Sequence, residues 1–154
     1  GIQRANIVLR YIDQIPASGI TEEDRSMIKG EALFLRGYQY FLLVNNYKEV
    51  PLRLIPSNED ETNKGPASEA ALWTQVEEDL GNAIKCNLPV ERTTAKERVT
   101  KGAAIAMLGK VYATQHKYPE AKQLLVSLLS APYSYELVDD FAKKKNLIKN
   151  PYTK

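Results

Sequence analysis

The segment TKGAAIAMLGKVYATQHKYPEAKQLLVSLL, Thr100 to Leu129, decides how this chain folds. Its first half mixes small residues (Gly102, Ala103, Ala104, Ala106, Gly109, Ala113) with large apolar ones (Ile105, Leu108, Val111, Tyr112). Positions 104, 105, 108, 111 and 112 recur at the i, i+1, i+4, i+7, i+8 spacing of one helix face. The polar run Gln115-His116-Lys117 interrupts the pattern. Pro119 then suits a first helical turn, where its missing N–H would lack a partner anyway. Ala121, Leu124, Leu125 and Leu128 resume the period. Small residues on one helix let a second backbone come close, so the segment is predicted to be an antiparallel helical hairpin.

That hairpin matches the tetratricopeptide pattern: a Leu-Gly pair, a tyrosine three residues after the glycine, and an alanine nine residues after the tyrosine. Leu108-Gly109, Tyr112 and Ala121 satisfy these offsets, and Pro132 lies near the expected terminal proline. Ile105 stands where the repeat often has tryptophan. Arrays of this kind need about three stacked units for stability, so the rest of the chain must supply neighbouring helices.

Upstream, Ile2 to Ile15 is predicted as a helix with Ile2, Ala5, Val8, Leu9 and Ile12 on one stripe, ended by Pro16-Ala17-Ser18-Gly19. Thr21 is placed to cap the next helix, and Glu22, Glu23 and Asp24 favour its positive end. That helix runs to about Tyr47 with two apolar stripes, Ile28, Ala32, Leu35, Leu42 and Phe34, Tyr38, Phe41. Two stripes imply two neighbours. Val50-Pro51-Leu52 reads as extended, because the residue before proline avoids helical angles. Residues 56–67, PSNEDETNKGPA, read as a surface loop. Ser68 is placed to cap a helix to about Asn87, with Leu72, Val76, Leu80, Ala83 and Ile84 in its stripe and Trp73 beside it. Residues 88–98 form a polar connection into the hairpin. Tyr133 to Val138 reads as a short extended piece, Asp139 to Ile148 as a weak helix, and Asn150 to Lys154 as a frayed end. Helices without a convincing strand run predict an all-α helical-hairpin array.

Composition narrows the function classes. A formal net charge of +2 over 154 residues gives no support for a dedicated nucleic-acid binder. No apolar run reaches the roughly 18 residues of a membrane-spanning helix. Cys86 is the only cysteine, so an internal disulfide and a multi-cysteine metal cluster are excluded. A phosphate loop, a nucleophile elbow and paired metal motifs are all missing, so no catalytic residue, no metal ligand and no cofactor is assigned.

Residues Gly30 to Leu52, GEALFLRGYQYFLLVNNYKEVPL, resemble the signature helix and following turn of the SusD/RagB family. The resemblance rests on Glu31-Ala32, Phe34-Leu35-Arg36, Tyr38, Tyr40-Phe41, Tyr47 and Val50-Pro51. Lys48-Glu49 depart from it, where members usually have a glycine followed by a small or acidic residue. Arg4-Ala5-Asn6, Glu78-Asp79-Leu80 with Ala83, Leu88-Pro89, Thr100-Lys101-Gly102-Ala103-Ala104 through Tyr112, then Tyr118, Ala121 and Tyr135-Glu136-Leu137 follow in family order. The resemblance implies that residues 1–154 are one helical, tetratricopeptide-like portion of a longer protein. The family's members are surface lipoproteins of the outer membrane in Bacteroidetes-type bacteria. They bind glycans or other nutrients and serve as a lid on a TonB-dependent, SusC-like transporter. The signal and the lipid-attachment cysteine are expected outside this segment. The rival reading is an autonomous tetratricopeptide adaptor that binds a protein or peptide in a helical groove, and an enzyme is the third.

Glycan capture needs aromatic faces against sugar rings and polar groups for hydroxyls. Tyr38, Tyr40, Phe41, Trp73 and Tyr112 lie at helical spacing and are expected mainly in the core. Tyr47 and Tyr133 are the loop aromatics. The family's sugar-binding positions map onto no motif here, so no ligand-binding residue is assigned. Arg36, inside an aromatic helix, is expected to pair with a carboxylate on a neighbouring helix while its stem packs. His116 is expected in solvent at the hairpin turn, and Cys86 as an ordinary packed thiol. Asn58, Asp60 and Thr62, with Glu69 twelfth in register, resemble the start of a calcium loop, but Asn63 replaces the glycine of its sharp turn. A solvated acidic loop is the preferred reading there. Lys143-Lys144-Lys145 with Lys149 is read as an exposed basic face.

Overall fold

Among the described residues five α-helices follow one another, and each packs on the next: α1 (Ile2–Tyr11), α2 (Glu22–Tyr47), α3 (Glu69–Lys85), α4 (Lys101–Thr114) and α5 (Tyr118–Val126). The computed structural model describes residues 1–57, 64–133 and 135. Short 3-10 turns extend α1 through Gln14 and α5 through Leu129. Among the described residues the only strand-like pairing is a single antiparallel bridge between Val50 and Ala67. The predicted all-α array is what forms. The expected extended piece after Tyr133, the weak helix at 139–148, the frayed end and the basic cluster at 143–149 lie outside the described residues, apart from Tyr133 and Tyr135.

The helix starts are chemically defined. Thr21 Oγ1 accepts from Asp24 N at 3.1 Å, Ser68 Oγ from Ala71 N at 3.3 Å and Thr100 Oγ1 from Ala103 N at 3.2 Å. Each satisfies an amide that has no partner inside its helix. The end of α2 is strained. Lys48 has φ 64 and ψ −60, and Glu49 N bonds Tyr47 O at 2.7 Å across it. This is the uncommon γ-turn that an L side chain resists. A glycine at that place would adopt this conformation without the strain; here a lysine bears it.

Tyr40, Phe41 and Val44 of α2, Leu72, Val76 and Leu80 of α3, and Met107, Leu108 and Val111 of α4 make the main core. Helix α2 is covered on two sides, by α1 and α3, as its two stripes required. The stripes themselves run differently at their edges. Leu35, Tyr38 and Leu42 are exposed, while Phe34 is half-buried and stacks on Tyr38 with ring centroids 6.3 Å apart. The buried line keeps Ala32 of the first stripe and Phe41 of the second and otherwise passes through Gly30, Arg36, Gly37, Tyr40 and Val44. Glycines at 30 and 37 let α3 and its following loop approach; a Cβ on Gly37 would sit 3.1 Å from Asp79 Cβ. In the hairpin, α5 returns along α4. A Cβ on Gly109 would meet Leu125 Cδ2 at 2.6 Å, and one on Gly102 would meet the Tyr135 hydroxyl at 2.6 Å. The small-residue stripe therefore does what its composition implied.

Candidate functional site

Two polar constructions stand out, one buried and one open. The buried one ties three helices to the extended segment after α2. Arg36 forms a fork with Asp79 of α3, Nε to Oδ2 at 2.8 Å and Nη2 to Oδ1 at 2.7 Å. Its Nη1 donates to Asn6 Oδ1 of α1 at 3.1 Å. Asn6 Nδ2 in turn donates to the carbonyls of Arg53 and Ile55 at 3.0 and 3.1 Å. Tyr40 closes the set: its hydroxyl accepts from Arg53 N at 2.7 Å and donates to Arg53 O at 2.8 Å. Burial pushes the Tyr40 phenol above its ordinary value, opposed mainly by the backbone bond to Arg53. Gln75 Nε2 donates to Asp79 Oδ1 at 3.0 Å, and among the described residues no buried side-chain polar atom lacks a partner. Such a network holds a loop in place and leaves no group for a ligand.

Glu31 performs a similar task at the other side of α2, where it pairs with Arg92 and, at 2.6 Å, with Arg98. Arg92 Nε also donates to Val99 O at 3.0 Å, so the connection from α3 to α4 is tethered at both ends.

The open construction is a cleft of about 650 Å³ between α3 and the α4–α5 turn, with Glu69, Trp73, Glu77, Gln115 and Lys117 among its lining residues. Trp73 packs edge-on to Phe41, centroids 6.0 Å apart and planes at 64°. Its Nε1–H donates to Glu69 Oε1 at 3.1 Å, and Lys48 Nζ reaches the same oxygen at 2.9 Å. Those two hydrogen bonds, the lysine's first, hold the Glu69 carboxyl below its ordinary value. Glu77 Oε1 accepts from Gln115 Nε2 at 2.7 Å and from Lys117 Nζ at 2.5 Å. Lys117 also lies 5.6 Å from the Tyr112 ring centroid, and burial followed by the Glu77 charge pushes that phenol up. The cleft thus offers an aromatic wall and fixed polar groups. Among the described residues no group of three or more His, Cys, Asp or Glu could hold a metal ion.

The residues singled out from the sequence fall as follows. Arg36 pairs with a carboxylate on a neighbouring helix while its stem is buried, as expected. Tyr40 and Phe41 are core, Trp73 and Tyr112 half-buried against it, and Tyr38 is exposed. Tyr47 is exposed at the end of α2, and Tyr133 stacks on Tyr135 with centroids 6.1 Å apart. His116 is exposed at φ 60, its Nδ1 2.7 Å from the Tyr118 hydroxyl. Cys86 is half-buried, its Cβ against Gly30. Asn58, Asp60, Thr62 and Asn63 lie outside the described residues, whereas Glu69 occupies the first turn of α3. Sequence reasoning missed Asp79, Asn6 and Tyr40 as one network, and Glu69, Glu77, Gln115 and Lys117 as one cleft. The only signal was the placement of a polar residue on an otherwise apolar helix face.

A family model, SusD-like, described as starch-binding associating with outer membrane, matches residues 1–113. The chain belongs to the SusD-like family. Its fold agrees with solved structures. A laminarin-binding SusD-like protein superposes with a TM-score of 0.84 at 31% identity, over 98% of this chain and 33% of its own. A SusD superfamily protein from Bacteroides vulgatus ATCC 8482 gives 0.81 at 34% identity, over 91% and 30% of the two chains. A SusD homolog from Bacteroides thetaiotaomicron VPI-5482 gives 0.80 at 26%, over 93% and 30%. The chain spans about a third of the length of these relatives. No curated protein matches it. In this SusD-like chain the signature residues Glu31, Arg36 and Tyr40 are spent on internal tethers. Among the described residues no helix is long and apolar enough to cross a membrane.

Proposed function

We propose that residues 1–154 are the helical scaffold of a longer, non-catalytic glycan-binding lipoprotein at the outer-membrane surface. It passes its ligand to a TonB-dependent, SusC-like transporter. The observation that carries this reading is the agreement over 98% of the chain with a laminarin-binding SusD-like protein, at a TM-score of 0.84. The disposition of the signature side chains supports a scaffold role, because Arg36, Asp79, Asn6 and Tyr40 satisfy one another and a neighbouring backbone. Binding without bond-making asks for shape, aromatic surface and hydroxyl partners, not for a nucleophile or a shifted general base. The lipid anchor and the remainder of the binding surface belong to the rest of the protein, and the energy for import comes through the transporter.

The test is a glycan array probed with the full-length protein, together with detergent co-purification from its native membrane. Binding to a neutral polysaccharide and recovery with a large β-barrel protein are expected. Capture of a soluble protein partner with no glycan bound would favour the adaptor reading instead.

A further inference from the structure

The geometry points to a pyranose-binding subsite in the cleft walled by Trp73, Glu77, Gln115 and Lys117, an inference that rests on the glycan-binding reading above. Trp73 is the only tryptophan in the chain, and it is half-buried rather than sunk in the core. Its ring is pinned twice, by the edge contact with Phe41 and by the Nε1–H bond to Glu69. A pre-set aromatic wall loses little freedom when a ligand stacks on it. The polar side is equally fixed, since Glu77 is held by both Gln115 and Lys117.

A pyranose presents a C–H face, which an aromatic ring covers, and a rim of hydroxyls that both donate and accept. Carboxylates at Glu69 and Glu77 accept from hydroxyls; the Gln115 amide and the Lys117 ammonium donate to them. Glu69 and Glu77 are already paired, with Lys48 and Lys117, and Glu78 adds a third carboxylate to the lining, so the cleft favours a neutral, hydroxyl-rich ligand over an anion. The volume of about 650 Å³ falls within the roughly 300–1,000 Å³ of small-molecule sites. The open form suits one unit of a chain that continues into solvent.

Isothermal titration of the full-length protein with laminarin and with soluble starch tests this. Trp73→Ala removes the stacking wall. Thr74→Arg plugs the cleft from an exposed position of α3 and leaves the core intact, so it serves if Trp73→Ala fails to fold. Each is expected to lower the affinity for the bound polysaccharide about tenfold, with an unchanged thermal midpoint for Thr74→Arg. Wild-type affinity in a folded Thr74→Arg overturns the subsite and leaves the glycan reading standing. If the full-length protein binds neither these polysaccharides nor any other glycan on the array, both readings fall.

Discussion

Replacing Asp79 by alanine is expected to be among the most damaging single changes in the described chain. The side chains of Arg36 and Asp79 are 9% and 2% exposed, so water cannot take over when one is removed. Deletion of the carboxylate strips Arg36 of the bonds at 2.8 and 2.7 Å and strips Gln75 of its acceptor. A guanidinium then remains buried with only Asn6 Oδ1 and, at 3.4 Å, the Leu54 carbonyl. Removing one member of a buried ion pair costs about 3–5 kcal/mol. For a chain of this length that lowers the thermal midpoint by about 6–20 °C. Thermal and urea unfolding followed by circular dichroism measures the loss. A cycle of Arg36→Met, Asp79→Leu and the double variant Arg36→Met, Asp79→Leu isolates the pair, and the double is expected to cost clearly less than the sum of those two singles. Arg53, whose amide is protected by Tyr40 beside the same network, should also exchange its hydrogen faster in Asp79→Ala. A loss below about 1 kcal/mol, or strict additivity in the cycle, would refute the claim that this pair is desolvated and holds the segment after α2.

Further expectations concern backbone and charge. Lys48→Gly relieves a γ-turn strain of about 1–3 kcal/mol and gives up only an exposed, solvent-screened ion pair with Glu69, so unfolding measurements should show a net gain in stability. Gly30→Ala places a Cβ 2.7 Å from Cys86 Cβ, an atom fixed to the backbone, and is expected to cost about 1–3 kcal/mol. Gly109→Ala meets only the half-exposed Leu125 side chain, which can turn aside. The better helix propensity of alanine, about 1 kcal/mol, then keeps that variant close to wild type in the same assay. The Glu69 carboxyl titrates below its ordinary value in the folded chain, because of Lys48 and then Trp73. Its contribution is therefore complete above the ordinary carboxylate value and is lost as pH falls through the depressed one. The difference in thermal midpoint between wild type and Glu69→Gln should be positive at neutral pH and shrink on acidification.

Local chemistry announced itself in the amino-acid order. The hairpin at 100–129 was legible because apolar period, small-residue stripe, polar turn and Pro119 all act within a few residues of one another. The caps at Thr21 and Ser68 were legible for the same reason, since a hydroxyl and the amide it serves are three residues apart. The family resemblance also held, carried by Gly30 to Leu52 and the collinear blocks around it, and now supported by the match over residues 1–113. Arg36 could be marked as a residue that must find a carboxylate, because a cation amid aromatic neighbours has no cheap alternative.

Choosing Asp79 as that carboxylate, 43 residues away, depended on how α3 rotates against α2, which the glycines at 30 and 37 permit. The stripes of α2 misplaced Leu35, Tyr38 and Leu42 for a related reason: periodicity shows that a face is apolar, not whether a neighbour arrives to cover it. Nothing local connects Trp73 with Gln115 and Lys117. They meet because the α4–α5 turn is delivered against α3 by core packing at Leu72, Val76, Leu108 and Val111. Helix position and identity are short-range quantities, written in neighbouring side chains. Partnership between helices is a long-range one, settled only when close packing fixes their separation and rotation.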